Sequence, residues 1–300
     1  MPLLKQAATD WKEDGAPRLA ASLSFYTALS VAPLLIIAIA VAGLAFGQEA
    51  ARGEILTQLQ GLVGHDSAKT VESMVQSADK PRSGVISTVI GLAVLLFGAT
   101  GVFAELQDSL NTIWEVKPKP GRGVWQVIRQ RFLSLGMVLG IGFLLLVALI
   151  VSAGLAAFGK WTEGALPGAV IVWQIGMHVV SLALITCLFA MMFKFLPDAE
   201  IAWRDVWVGA AVTALLFTIG KFLIGLYLGR AAVTSSYGAA GSIIVFLLWV
   251  YYSAQILFMG AELTQVYARM YGKRIVPSPI AEPAEPHASR ASAEAAVKAG

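Results

Sequence analysis

The sequence predicts an all-α, polytopic helical membrane protein with six transmembrane helices and both termini in the cytoplasm. Three observations carry that prediction. Hydrophobic residues make up 57% of the 300 and charged residues 14%, against about 45–50% and about 25% in soluble proteins. Six apolar runs approach or exceed the roughly 20 residues that cross a hydrocarbon layer. Basic residues gather on alternate sides of those runs, which orients them.

In chain order, residues 1–18 read as an amphipathic cytoplasmic N-terminus, too long and polar before the first run for a cleavable signal. The six-helix membrane domain spans 19–270. Its runs are Leu19–Phe46, Val85–Phe103, Phe132–Phe158, Ala169–Phe193, Val206–Leu228 and Gly241–Leu263. They are continuous rather than alternating, so they are helices and not barrel strands, and helix is how such backbone satisfies itself in lipid. Pro33 interrupts the first run, where its missing donor predicts a kink and a candidate hinge. The outer loop at 47–82 carries Ile55, Leu59, Leu62 and Val63, then Val71, Met74 and Val75, at helical spacing. It is expected to be amphipathic, lying on the bilayer or capping the bundle, with gating or docking as the functional alternative. Residues 271–300, with Pro277, Pro279, Pro283 and Pro286 among Ala, Ser and Glu, read as a disordered cytoplasmic tail.

Of the 22 Lys and Arg, fifteen fall on the side that holds the termini: Lys5, Lys12 and Arg18, five from Lys117 to Arg131, Lys194 and Arg204, and five from Arg269 to Lys298. Six fall on the other side and Lys221 lies within a run. Trp114, Trp125, Trp203 and Trp207 sit near the inner interface, as belt aromatics do. Cys187 is the only cysteine, which excludes a disulfide within the chain and argues against a thiolate metal site. No metal site, cofactor or catalytic residue is expected.

Polar groups inside the membrane are the remaining signal, because each is costly there. Lys221 lies about 10 Å from the outer end of the fifth run at 1.5 Å per residue, on a stripe with Ala214, Thr218 and Gly225. His178 and Gln174 lie at similar depth in the fourth run. Together the three could line an outer cavity for an anionic head group; the alternative is a lysine that snorkels and a histidine that bonds a nearby carbonyl. Ser242, Val245, Trp249, Tyr252, Gln255, Met259 and Glu262 recur every three or four residues, a candidate pathway stripe or a buried helix seam. At the inner end Glu105, Asp108 and Asn111 share a helix face, and Arg18, Arg204 or Arg131 match Glu262 in depth. This inner polar network is either structural, fixing register, or a cation or gating site. Gly136-x-x-x-Gly140 and Gly225-x-x-x-Gly229 are small-residue faces that pack helices within a bundle or between subunits, so a homo-oligomer is open.

Four blocks resemble the YihY/BrkB family of bacterial inner-membrane proteins. They are Glu13 to Ala21 with Ser24-Phe25-Tyr26-Thr27-Ala28-Leu29-Ser30-Val31-Ala32-Pro33-Leu34; Leu106-Gln107-Asp108-Ser109-Leu110-Asn111-Thr112-Ile113-Trp114; Phe195-Leu196-Pro197-Asp198-Ala199 with Trp203 to Ala210; and Tyr237 to Ser242 with Trp249-Val250-Tyr251-Tyr252 and Gly260-Ala261-Glu262-Leu263. The resemblance implies six helices. It also brings an old ribonuclease label, an association of one branch with virulence and serum resistance, and associations with transport.

The residues argue against the nuclease. His65, His178 and His287 fall in the outer loop, a membrane run and the tail, where they cannot form one site. No RNA-binding signature accompanies them, so no nucleic-acid partner is expected. No ATP-binding motif appears either. The expectation is an inner-membrane protein in contact with lipid that moves or presents an amphiphilic or small polar solute, passively or coupled to an ion. A non-transporting envelope scaffold or assembly factor is the alternative.

Overall fold

The computed structural model describes residues 2–78, 101–120, 169–230, 239–272 and 275–284. Within them four helices are long and apolar enough to cross a membrane: Ala16–Leu44, His178–Phe195, Trp203–Ile224 and Gly241–Tyr271. They coincide with the first, fourth, fifth and sixth expected runs. The second, Val85–Phe103 except for its last three residues, and the third, Phe132–Phe158, lie outside the described residues, as do Arg131 and the Gly136–Gly140 motif.

Helix α1 (Pro2–Glu13) turns into α2 (Ala16–Phe46) across Asp14 and Gly15. Gly15 has φ +67, a left-handed conformation that costs a glycine little, and Pro17 follows in the first turn of α2, where a missing N–H is harmless. Helix α2 continues through Pro33 to its end. The outer loop forms two helices, α3 (Gln48–Val63) and α4 (His65–Ala78), divided at Gly64 with φ +83. Residues 101–113 are helix α5, followed by β1 (Val116–Pro118). Then come α6 (Ala169–Phe195), β2 (Ala199–Glu200), α7 (Trp203–Arg230), α8 (Ala239–Tyr271), β3 (Val276–Pro277) and β4 (Ala281–Pro283).

Helix α8 is the axis of the fold. Helices α1, α2, α4 and α7 all pack on it, and α6 packs on α7. Between α2 and α8 the Ser24 hydroxyl donates to the Leu247 carbonyl at 3.0 Å. The antiparallel α7 and α8 meet through small residues. Gly209 faces Thr264, and Gly260 faces Thr213. Each threonine turns its hydroxyl back onto its own helix, Thr213 to the Gly209 carbonyl at 2.7 Å and Thr264 to the Gly260 carbonyl at 2.6 Å. The threonine side chain, Oγ1 foremost, fills the space left by the facing glycine, and the hydroxyl is satisfied without water, as a membrane interior requires.

The main core gathers Leu110, Ile113 and Trp114 from α5 and the turn after it, Phe193 from α6, Val206 and Ala210 from α7, and Phe258 from α8. A second cluster settles the position of α4. Ala68 and Val71 insert between Val31 of α2 and Phe246 and Val250 of α8, with Met74 against them. Ser67 donates to the Ser242 carbonyl at 3.1 Å, and the Thr70 and Ser242 hydroxyls are 2.7 Å apart. Of the two places expected for the outer segment, α4 takes the one against the bundle. Its apolar residues Ala68 and Val71 are buried there and its hydroxyls are bonded to α8.

The tail corrects an expectation. Disorder was expected from residue 271 onward, yet α8 runs to Tyr271 and residues 275–284 are ordered. Strand β4 pairs antiparallel with β1, Lys117 opposite Glu282, and β3 pairs antiparallel with β2, Ala199 opposite Pro277. Low apolar content argues against folding alone, but strand addition needs only backbone groups and a free edge. Proline is tolerated because both pairs are two-stranded and every strand is an edge. Residues 285–300 lie outside the described residues.

Candidate functional site

Polar side chains collect at the end of the bundle where α1, the close of α5 and the tail strands meet. On α5, Gln107 and Asn111 are four residues apart and so on one face. Pro197, just after α6, helps turn the chain so that Asp198 points back at that face. Asn111 Nδ2 donates to Asp198 Oδ2 at 3.1 Å and Gln107 Nε2 to Oδ1 at 3.2 Å. The Asp198 backbone N–H returns a bond to Asn111 Oδ1 at 2.7 Å. The Asp198 carbonyl accepts from the Ser278 N–H of the tail at 2.9 Å. A carboxylate this buried is tolerable because its lone pairs are taken.

Beside it lies a second charged group. Arg269 of α8 reaches Asp10 of α1 at 2.7 Å and Glu115, after α5, at 3.9 Å. Glu115 has φ +53. Glu262, two turns earlier on α8, is 1% exposed, and neither of its carboxylate oxygens has a hydrogen-bond partner. The charges that act on it are the carboxylates of Asp14, Asp10 and Glu115.

The structure therefore redraws the expected inner network. Asn111 belongs to it through Asp198. Glu105 is half-buried and Asp108 exposed. Arg18 and Arg204 are exposed, and no ion pair joins either to Glu262. Among the described residues the guanidinium that serves this end is Arg269, supplied by α8 itself. Depth along the membrane normal selected Arg18 and Arg204, but the rotation of each helix turns them outward.

Along α8 the expected stripe is a buried seam at its first member and an unpaired polar series beyond. Ser242 is bonded to Thr70 and covered by α4. Trp249 Nε1 and Gln255 Oε1 are buried without hydrogen-bond partners, as are both oxygens of Glu262. Tyr252 is half-buried against Gly220 of α7.

Lys221 and His178 stand at different heights. The Phe189–Phe217 ring contact fixes the register of α6 against α7. Lys221 is four residues beyond that contact and His178 eleven, which puts them about 10 Å apart along the bundle at 1.5 Å per residue. Both are exposed, and the Gln174 side chain lies outside the described residues. The packed face of α7 runs through Val206, Ala210, Thr213, Ala214, Gly220 and Ile224, so the small-residue stripe meets it at Ala214, whereas Thr218 and Lys221 are exposed.

The sequence reading missed Asp198, Gln107 and Arg269 as site residues. A signal for the first two was present: they lie in two of the blocks that carry the family resemblance, and the structure puts those blocks in contact. The site can hold charge and exchange protons.

The sequence profile of a family described as Virulence factor BrkB matches residues 7–285. A UPF0761 membrane protein of Ralstonia nicotianae is 29% identical over 256 residues, covering 84% of this chain and 55% of the relative. One from Methylibium petroleiphilum is 30% identical over 282 residues, covering 92% and 64%. One from Pseudomonas aeruginosa is 28% identical over 274 residues, covering 88% and 62%. The chain thus spans between half and two thirds of the length of these relatives. No solved structure matches it.

Proposed function

The chain belongs to the Virulence factor BrkB family of integral membrane proteins, and from that premise we propose that it carries an amphiphilic or small polar solute across or within the bacterial inner membrane. The proposal includes six membrane helices, both termini in the cytoplasm, and movement that is passive or coupled to an ion. It describes a carrier in contact with lipid rather than an enzyme, with no cofactor and no nucleic-acid partner. Self-association through small-residue faces, Gly136-x-x-x-Gly140 or Gly225-x-x-x-Gly229, remains part of it.

One observation supports it above the others. Helix α8 is of membrane-spanning length and keeps Trp249, Gln255 and Glu262 along its course with buried polar atoms that find no hydrogen-bond partner. A purely structural helix is stabilised by replacing such groups with apolar ones, so a series of them reads as a polar route. The test is flux in proteoliposomes. A fluorescent phosphatidylglycerol analogue and a set of small organic anions and cations are the probes, comparing wild type with Gln255→Leu. Wild-type flux above that of empty vesicles, reduced in the variant, supports the carrier. Correctly inserted protein that moves no probe favours the alternative of an envelope scaffold, for which α3 and α4 are the docking elements.

A further inference from the structure

The acidic group at the α1 end has one member whose situation differs from the rest. Asp10 and Glu115 share Arg269. Glu262 enters the cluster from the opposite element, α8, at 1% exposure, with both oxygens lacking a hydrogen-bond partner. Asp14, at the joint between α1 and α2, is buried beside it. The charged groups acting here are Asp10 and Asp14 from the α1 side, Glu115 from the turn after α5, and Arg269 from α8. Arg18 at the start of α2 and Arg204 at the start of α7 are exposed, and Asp205 of α7 sits at Gly272, about three turns away.

An ionised carboxylate cannot be held in such a place without a compensating positive charge or donors, because desolvation costs several kcal/mol and the neighbouring carboxylates add repulsion. Some cation must neutralise it. Among the described residues no three His, Cys, Asp or Glu side chains are placed to hold a metal ion. A proton needs no such shell, only one carboxylate oxygen to bind it and another to accept its hydrogen bond.

We propose that Glu262 and Asp14 form a proton-binding site, in which Glu262 carries the proton and Asp14 accepts its hydrogen bond. Release converts the Glu262 carboxylic acid to a carboxylate and passes the proton to water; uptake reverses it. The released state places unscreened negative charge between α1 and α8, so proton release loosens the docking of α1, where Ala7 packs on Leu263 and Val266. The inference deepens the carrier reading by naming the proton as its coupling ion, and it rests on that reading only for the use made of the site.

The test is infrared spectroscopy of the full-length protein in phospholipid nanodiscs, following the carbonyl stretch of a buried protonated carboxyl from mildly acid to mildly alkaline buffer. Wild type is expected to show the band at neutral pH and lose it as pH rises. Glu262→Gln, which is neutral and nearly isosteric, is expected to lack it. Asp14→Asn removes a negative neighbour and is expected to titrate at lower pH, which keeps the proposal testable should the Glu262 variant not fold. No such band in wild type, a band undiminished in Glu262→Gln, or an unchanged midpoint in Asp14→Asn each overturns the site. No solute enters the measurement, so its failure leaves the carrier reading standing, and an absence of flux leaves the proton site standing.

Discussion

Gly209 of α7 and Thr264 of α8 occupy one space: a Cβ built on the glycine would overlap the threonine Oγ1, and Gly260 and Thr213 repeat the relation four residues along. The two helices share this Gly-x-x-x-Thr spacing and use it reciprocally. Gly209→Ala is expected to destabilise the α7–α8 contact by about 1–3 kcal/mol, the range for overpacking. Adding Thr264→Gly should recover part of the loss. The check is the thermal midpoint of purified protein in detergent, and equal midpoints for the single and double variants would contradict the interlock.

Asn111→Ala removes a donor to the buried Asp198 carboxylate and the acceptor of the Asp198 amide. Hydrogen bonds to charged groups are worth about 1.5–3 kcal/mol each, so the protein should unfold several degrees earlier. Asp198→Asn should cost less, since it keeps acceptor capacity. Comparing the two melting curves tests that order.

Thr70→Cys with Ser242→Cys, in a Cys187→Ser background, should form a disulfide readily, because the two native hydroxyl oxygens are 2.7 Å apart. A shift on non-reducing gels reports it. Inserted protein that resists crosslinking would mean α4 does not rest on α8. If α4 moves during transport, the crosslinked form will have lost flux and reduction will restore it.

The Lys117–Glu282 ion pair at 3.4 Å is exposed at both ends. Lys117→Glu should therefore change stability by less than about 1 kcal/mol. Ending the chain at Gly272 should do more. The Lys119 amide, bonded to the Ile280 carbonyl at 3.2 Å, is expected to exchange hydrogen about tenfold or more faster, as a freed backbone group does. Mass spectrometry of the 116–120 peptide reads this directly.

What was legible in the sequence follows from which forces act locally. The four described spans stand where hydropathy put them because insertion depends on composition summed over a run. Asn111 was legible as a site residue because Asp108, Asn111 and their neighbours break an apolar pattern on one helix face. Its partner Asp198 was not, because pairing depends on how the turn after Pro197 meets α5. In the sequence Arg269 reads only as a topology charge, and its role appears once α8 is set against α1. Lys221 shows the reverse case: the stripe of small residues meets the packed face at Ala214 while Lys221 is exposed, because each residue turns the helix by about 100°.

Strands β3 and β4 follow every described helix in the order of synthesis. Until a ribosome has passed residue 284, the Asp198 carbonyl and the edges of β1 and β2 have none of the tail partners they bond in the finished fold. Closure at this end thus comes only after all the described helices have been made. A stop between residues 272 and 284 would leave the described helices made but the end open where α1, β1 and β2 meet the tail.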